Sequence, residues 1–183
     1  MKTAILLPGI GGSGAAHWQT MWERADPSLI RFDPADWDLP DLDDWLAALD
    51  RAIDATDEPP ILIAHSLACL LVAHWAARPG ARTIRGAFLV AAPDPDGPAF
   101  PASHAASFRD VPDAPLPFPT LVVASVDDPY ASVEHVRNQA SVWNAGLVVA
   151  GALGHMNEAS NLGDWPLGMM LLEAFSAGAR TRQ

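Results

Sequence analysis

The chain has 183 residues, half of them hydrophobic, with 22 acidic side chains against 11 basic ones and a formal net charge of −11. That length and apolar content fit a single domain over 1–183 with a large core, and the negative balance, without any basic patch interleaved with aromatics, argues against nucleic acid as a partner. One cysteine, Cys69, excludes an intrachain disulfide framework, nothing resembles a clustered metal site, and no apolar run approaches the roughly 20 residues of a membrane span, so a soluble, unprocessed, cytoplasmic protein is expected.

The first strand-like run, Thr3 to Leu7, leads into Pro8-Gly9-Ile10-Gly11-Gly12-Ser13-Gly14. A glycine loop after a first strand can turn backbone N–H groups toward an incoming oxyanion, which makes the Ile10 amide an expected donor. Gly9 and Gly11 would then border a site, as would His17 and Trp18 just beyond them. Gly9, Gly11 and Gly14 also spell Gly-x-Gly-x-x-Gly, and Asp33 follows the second strand, Leu29 to Phe32, about where a dinucleotide-binding fold keeps its ribose-binding acid. An oxidoreductase reading therefore stays open at this point, although the fingerprint alone produces false matches. A phosphate-binding P-loop is not indicated, because no Gly-Lys-Ser/Thr follows the glycines.

Asp41 is placed to cap a helix whose apolar positions Leu42, Trp45, Leu46, Leu49, Ala52 and Ile53 recur at spacings of three and four. Asp43, Asp44 and Asp50 then face water. Acids near a helix start suit the macrodipole, and no function is assigned to them.

The third strand, Ile61 to Ala64, runs through His65 and Ser66 straight into the apolar helix that begins at Leu67, with no turn residues to spare. Such a strand-serine-helix junction is the nucleophile elbow of α/β-hydrolases, usually written Gly-x-Ser-x-Gly because strand and helix crowd the serine. Here the small positions are Ala64 and Ala68. The Leu67 amide, at the start of the helix, is the second expected oxyanion donor.

After a fourth strand, Gly86 to Val90, eight of the seventeen prolines fall between Pro93 and Pro119. That segment can neither sustain a helix for long nor join a sheet centre, and it is expected to cross the top of the sheet at the border of the site. The fifth strand, Thr120 to Ala124, ends in Asp127-Asp128-Pro129-Tyr130, and the sixth, Gly146 to Ala150, ends in Gly151-Ala152-Leu153-Gly154-His155. Six strands alternating with helical segments predict a three-layer α/β/α sandwich around a mostly parallel sheet.

Ser66, then Asp128, then His155 is the α/β-hydrolase order of nucleophile, acid and base, each beyond the C-terminal end of a predicted strand. Among the six histidines only His155 sits on a glycine-flanked loop after the last strand. Strand alternation sends the His65 side chain away from that of Ser66. His74 lies in the helix after the elbow, and His104 and His135 fit a loop and a surface helix. Asp127 and Asp128 are harder to separate, since a one-residue shift exchanges their directions; Pro129 modestly favours Asp128. A nicotinamide enzyme leaves this alignment unexplained, whereas a hydrolase explains both the alignment and the glycine loop.

Pro8-Gly9, His17-Trp18, His65-Ser66, Asp127-Asp128-Pro129-Tyr130, and the tail from Gly154-His155-Met156 to Trp165-Pro166 together resemble the small, lidless serine hydrolases that include retinoblastoma-binding protein 9 and its bacterial relatives. The resemblance spans nearly the whole chain and implies an α/β-hydrolase fold without a large cap. It also implies Ser66 as nucleophile, Asp128 as the triad acid and His155 as the base. The chain departs from the pattern at Ala64 and Ala68, and at Asn161, where relatives tend to carry glycine.

The expected function is hydrolysis of small acyl esters through an acyl-enzyme, with a small-molecule acyl substrate and neither metal nor organic cofactor. The alternative is a non-catalytic binding or interaction protein on the same scaffold, since some members are known mainly in that role. Trp18, Trp22 and Met156 fall near the two loops and would line an acyl pocket, unless their helical spacing marks them as core.

Overall fold

The computed structural model describes residues 3–179. Six strands, β1 (Ala4–Leu7), β2 (Leu29–Arg31), β3 (Ile61–His65), β4 (Gly86–Val90), β5 (Thr120–Ala124) and β6 (Gly146–Val149), form one sheet in the order β2-β1-β3-β4-β5-β6. Every neighbouring pair is parallel. The strands match the sequence reading to within one residue at each end, with His65 added to β3 and Thr3, Phe32 and Ala150 lying just outside.

Between them run α1 (Trp18–Ala25), α2 (Leu42–Asp54), α3 (Leu67–Ala76), α4 (Val133–Val142) and, after β6, α5 (Pro166–Gly178). Parallel strands need such crossovers, and the helices bury both faces of the sheet. Strand residues alternate accordingly. Ile5, Leu7, Leu62, Ala64 and Leu89 pack toward α2, α3 and α4, whereas Leu6, Ile63, Phe88 and Val90 pack toward Trp18 and Trp22 of α1 and Leu172 of α5.

Asp41 caps α2 as expected, its side chain accepting the Asp44 N–H, and Trp45, Leu49 and Ile53 are buried beneath. α3 is apolar nearly all round because it is enclosed nearly all round: Leu67 to Ala73 and Trp75 are buried between the sheet, α2 and a short 3₁₀ turn at Ala106–Phe108. That turn sits in the proline-rich segment. β6 closes the sheet at the far edge, with Gly146 and Val149 exposed.

The strand order fixes where a site can form. From β1 the chain moves outward to β2, then returns to β3 on the other side of β1 and continues in the opposite direction. The loops leaving β1 and β3 therefore diverge, opening a crevice between their C-terminal ends.

Candidate active site

Ser66 stands in that crevice. It joins β3 to α3 with φ 56° and ψ −125°, a conformation that non-glycine residues rarely adopt and that costs about 1–3 kcal/mol. The surrounding structure enforces it: the Ser66 N–H donates to the Val90 carbonyl at 2.9 Å, and buried apolar residues hold the strand and helix on either side. Ala64 and Ala68 are both completely buried at this junction, so it accepts a methyl at each position. The tightest approach comes from the β1 loop. A Cβ on Gly9 would lie 2.9 Å from the Ser66 Cβ and 3.1 Å from the His65 carbonyl oxygen. The position that cannot take a side chain is Gly9, outside the elbow motif.

Asp128, His155 and Ser66 form one hydrogen-bonded line. The His155 Nδ1–H faces both Asp128 carboxylate oxygens at 2.9 Å. That leaves Nε2 as the acceptor for the Ser66 hydroxyl, at 2.8 Å. Asp128 is itself oriented by the Tyr130 N–H at 2.9 Å, and the Tyr130 ring lies 4.3 Å from the imidazole, centroid to centroid.

The neighbouring acid has a different task. Asp127 Oδ1 accepts the Ser125 hydroxyl at 2.6 Å and the Gly154 N–H at 2.7 Å, while Ser125 Oγ accepts the Leu153 N–H at 2.8 Å. Asp127 thus ties the end of β5 to the loop bearing the imidazole. The Ser125 hydroxyl and the Gly154 amide hold its carboxyl below the usual carboxylate range.

The remaining expected residues divide into two groups. Ile10, Gly11, His17 and Leu67 line a cavity of about 540 Å³ together with Ser66 and His155, and Pro93, Phe100 and Pro101 of the proline-rich segment close another side. Among the described residues no acceptor takes the Ile10 or the Leu67 N–H, so both amides are free donors beside the hydroxyl. Trp18 and Met156, expected at the site's border, lie beneath it instead: they are 1% and 0% exposed and belong to the core layer shared with Trp22 and Trp165. Large apolar surfaces at helical spacing are drawn to the sheet face. Their contribution is architectural, since the Trp18 indole N–H donates to the Met156 carbonyl at 2.8 Å and the Trp22 indole N–H to the Asp164 carbonyl at 2.6 Å.

Two supporting residues, His65 and Gln19, escape a reading of motifs alone, and His17 has a second task at the start of α1. Buried His65 turns away from the hydroxyl, as strand alternation requires, and its Nε2–H donates to the His155 carbonyl at 3.0 Å. Its position directly before Ser66 is the one sequence signal for it. Gln19, fully buried, donates to the carbonyls of Leu7 at 3.3 Å and Ile63 at 3.0 Å and accepts the Ser13 hydroxyl at 2.8 Å, bracing the glycine loop across β1 and β3. His17 caps α1, its Nδ1 accepting the Gln19 N–H at 3.2 Å, so the neutral ring carries its proton on Nε2.

Both accessory imidazoles are held neutral. Burial, followed by the Arg31 and His155 charges, brings His17 down to about 4, and burial followed by the neighbouring His155 and His17 rings pushes His65 well below the usual histidine range. Burial likewise pushes the Cys69 thiol up, its Sγ facing the Ala64 and Val90 carbonyls. A buried thiol of that kind is inert.

The glycine loop does not have dinucleotide-binding geometry. In that motif the third glycine opens a helix, whereas α1 begins at Trp18, four residues after Gly14, behind its own cap at His17. The Gly11 N–H is used within the protein, donating to the Trp37 carbonyl at 3.0 Å. Among the described residues, no cluster of three His, Cys, Asp or Glu side chains is arranged to hold a metal ion. Asn161 is left-handed at φ 50°, a conformation that asparagine tolerates better than most residues.

Known structures share this architecture. A protein from Pectobacterium atrosepticum described as a YdeN-like hydrolase is 34% identical, with a TM-score of 0.86 over 97% of this chain and 91% of that one. The ydeN gene product of Bacillus subtilis is 20% identical, with a TM-score of 0.79 over 97% of this chain and all of that one. An esterase domain from Rhodothermus marinus, 18% identical, superimposes with a TM-score of 0.64 over 93% of this chain and 86% of its own. The last two likenesses establish the α/β-hydrolase fold. No curated protein matches the sequence. The sequence profile of the serine hydrolase family matches residues 4–174, from the first strand into the last helix, and the chain belongs to that family.

Proposed function

We propose that the protein hydrolyses small acyl esters through a serine acyl-enzyme, with Ser66 as nucleophile, His155 as general base and acid, and Asp128 fixing the imidazole. The observation that carries this reading is the unbroken line from the Asp128 carboxylate through His155 to the hydroxyl of a serine strained into an open crevice.

As Ser66 Oγ attacks the ester carbonyl, its proton passes to His155 Nε2 and the carbonyl oxygen becomes an oxyanion. In this reading the Ile10 and Leu67 amides, whose residues line the cavity, donate to it, each contributing about 3 kcal/mol to transition-state stabilisation. Asp128 favours the imidazolium and keeps its Nδ1–H in place. Collapse of the tetrahedral intermediate breaks the bond to the alcohol, which leaves with the proton held on Nε2. Water then attacks the acyl-enzyme, giving its proton to Nε2, and the carboxylic acid departs as Ser66 recovers a proton.

A cavity of about 540 Å³ with apolar walls at Ile10, Leu67 and Phe100 suits a small or medium acyl ester. We place the enzyme in the cytoplasm, where its lone thiol, Cys69, would stay reduced. Turnover of p-nitrophenyl acetate tests the reading. Ser66→Ala should lose roughly 10⁴-fold or more in kcat while staying folded, since little packing is removed. Turnover near wild type in that variant would refute the assignment.

A further inference from the structure

The cavity over Ser66 has a one-sided charge. Among the described residues no lysine or arginine lines it, and the carboxylate that does is Glu158; Asp128 is screened behind the imidazole. His17 and His65, which also line the cavity, are neutral at pH 7. Among the described residues no lysine or arginine in the wall offsets Glu158, and the charge that His155 takes on during turnover is faced by Asp128.

Glu158 is also well placed. It follows His155 by three residues, and its Oε1 accepts the Ala16 N–H at 3.3 Å. The same carboxylate lies over Gly14, so that a Cβ added there would meet Glu158 Oε1 and push the side chain aside. It therefore bridges the loop that carries the Ile10 amide and the loop that carries the imidazole. An alcohol leaving group departs past the imidazole that protonates it, and so past this segment. Tyr130 and Phe100 add aromatic surface to the same cavity, and aromatic faces attract ammonium groups. A net charge of −11 reinforces the field at longer range.

We infer that the site selects esters whose leaving group carries a positive charge, with Glu158 as the residue that recognises it. The inference rests on the hydrolase reading above and names its substrate class. Glu158 is exposed, so water moderates the attraction, and a preference of about three- to five-fold is expected.

Acetylcholine and 3,3-dimethylbutyl acetate have nearly the same shape and differ by one charge in the leaving group. At low ionic strength the ratio of their kcat/KM values should favour acetylcholine by that factor in the wild type and fall toward one in Glu158→Gln, which keeps an acceptor for the Ala16 N–H. Asp57→Asn removes one negative charge from the exposed turn before β3, at the opposite end of the sheet, and should leave the ratio unchanged. Equal turnover of the two esters by the wild type, an unchanged ratio in Glu158→Gln, or an equal fall in Asp57→Asn would overturn the inference while leaving the hydrolase reading intact. Failure to hydrolyse either ester in a Ser66-dependent way would overturn both.

Discussion

The His65 imidazole donates its Nε2–H to the carbonyl oxygen of His155 at 3.0 Å, so the residue preceding Ser66 holds the backbone of the residue whose ring meets the Ser66 hydroxyl. The bond is buried, and the two rings pack with centroids 5.1 Å apart. The spacing between Ser66 and His155 is therefore set twice, once by their own hydrogen bond and once by this brace.

Replacing His65 should test the brace. His65→Leu leaves the His155 carbonyl buried and unpaired, at about 1–3 kcal/mol of stability, and should lower kcat by about ten- to a hundred-fold through a displaced imidazole. His65→Gln, which returns an N–H donor, should recover a good part of kcat. Equal losses in the two variants, in steady-state kinetics on material with matched circular dichroism, would show that the bond does not position the base.

The crowding at Gly9 gives a second prediction. In Gly9→Ala the new methyl meets the Ser66 Cβ and the His65 carbonyl, both fixed by the sheet, and the nucleophile must shift. Activity should fall at least about a hundred-fold, with about 1–3 kcal/mol of lost stability from overpacking. Gly11→Ala is the contrast: its Cβ meets nothing within 4 Å, so its penalty is confined to the positive φ of 80°. Comparable kcat values for the two variants would contradict the geometry.

The two acids at the end of β5 should separate cleanly. Asp128→Asn removes the carboxylate that faces Nδ1 and permits the wrong tautomer, which should cost about 10⁴-fold in kcat with little change in stability. Asp127→Asn weakens the acceptor for the Ser125 hydroxyl and the Gly154 N–H, so its main effect should be a lower Tm and a smaller loss of kcat. Thermal melts and single-turnover rates measured on both variants check the division.

Stability should fall as the solution is made acidic, through histidines that fold neutral. In the unfolded chain His17 takes up a proton near pH 6.5, whereas in the fold it resists protonation until about pH 4. Between those values the unfolded state binds more protons, so stability rises with pH across the window and is lost as pH falls through it. His17 accounts for on the order of 3 kcal/mol when fully developed, and His65 acts in the same direction. Urea denaturation at pH 7 and pH 4.5 should show a smaller acid-induced loss for His17→Asn, which can still cap α1. The same loss in both proteins would contradict a neutral His17.

Much of this was legible in the sequence because it is written locally. Each strand is a short apolar run between turn residues, and Ser66 stands between such a strand and an apolar helix, so the six strands and the order of a serine, paired acids and a histidine beyond successive strands follow from local pattern. What the sequence concealed depends on direction at a turn or on burial by distant residues. Asp127 and Asp128 differ by a single rotation of the chain beyond β5, and only the placement of Ser125 and Gly154 decides between them. Trp18 and Met156 neighbour the site in sequence, yet Trp165 and α5, which begins 148 residues beyond Trp18 and ten beyond Met156, cover them through Leu172 and its neighbours. Gln19, a polar side chain at a fully buried position, carries no signal until Leu7 and Ile63 are seen to present carbonyls to it.

The central claim is that the Ser66 hydroxyl is a nucleophile activated by His155, and covalent labelling with a fluorophosphonate tests it most directly. Intact-mass spectrometry should show one adduct per chain, peptide mapping should place it on Ser66, and Ser66→Ala and His155→Ala should show none on the same timescale. An adduct on another residue, or undiminished labelling of Ser66→Ala, would contradict the account.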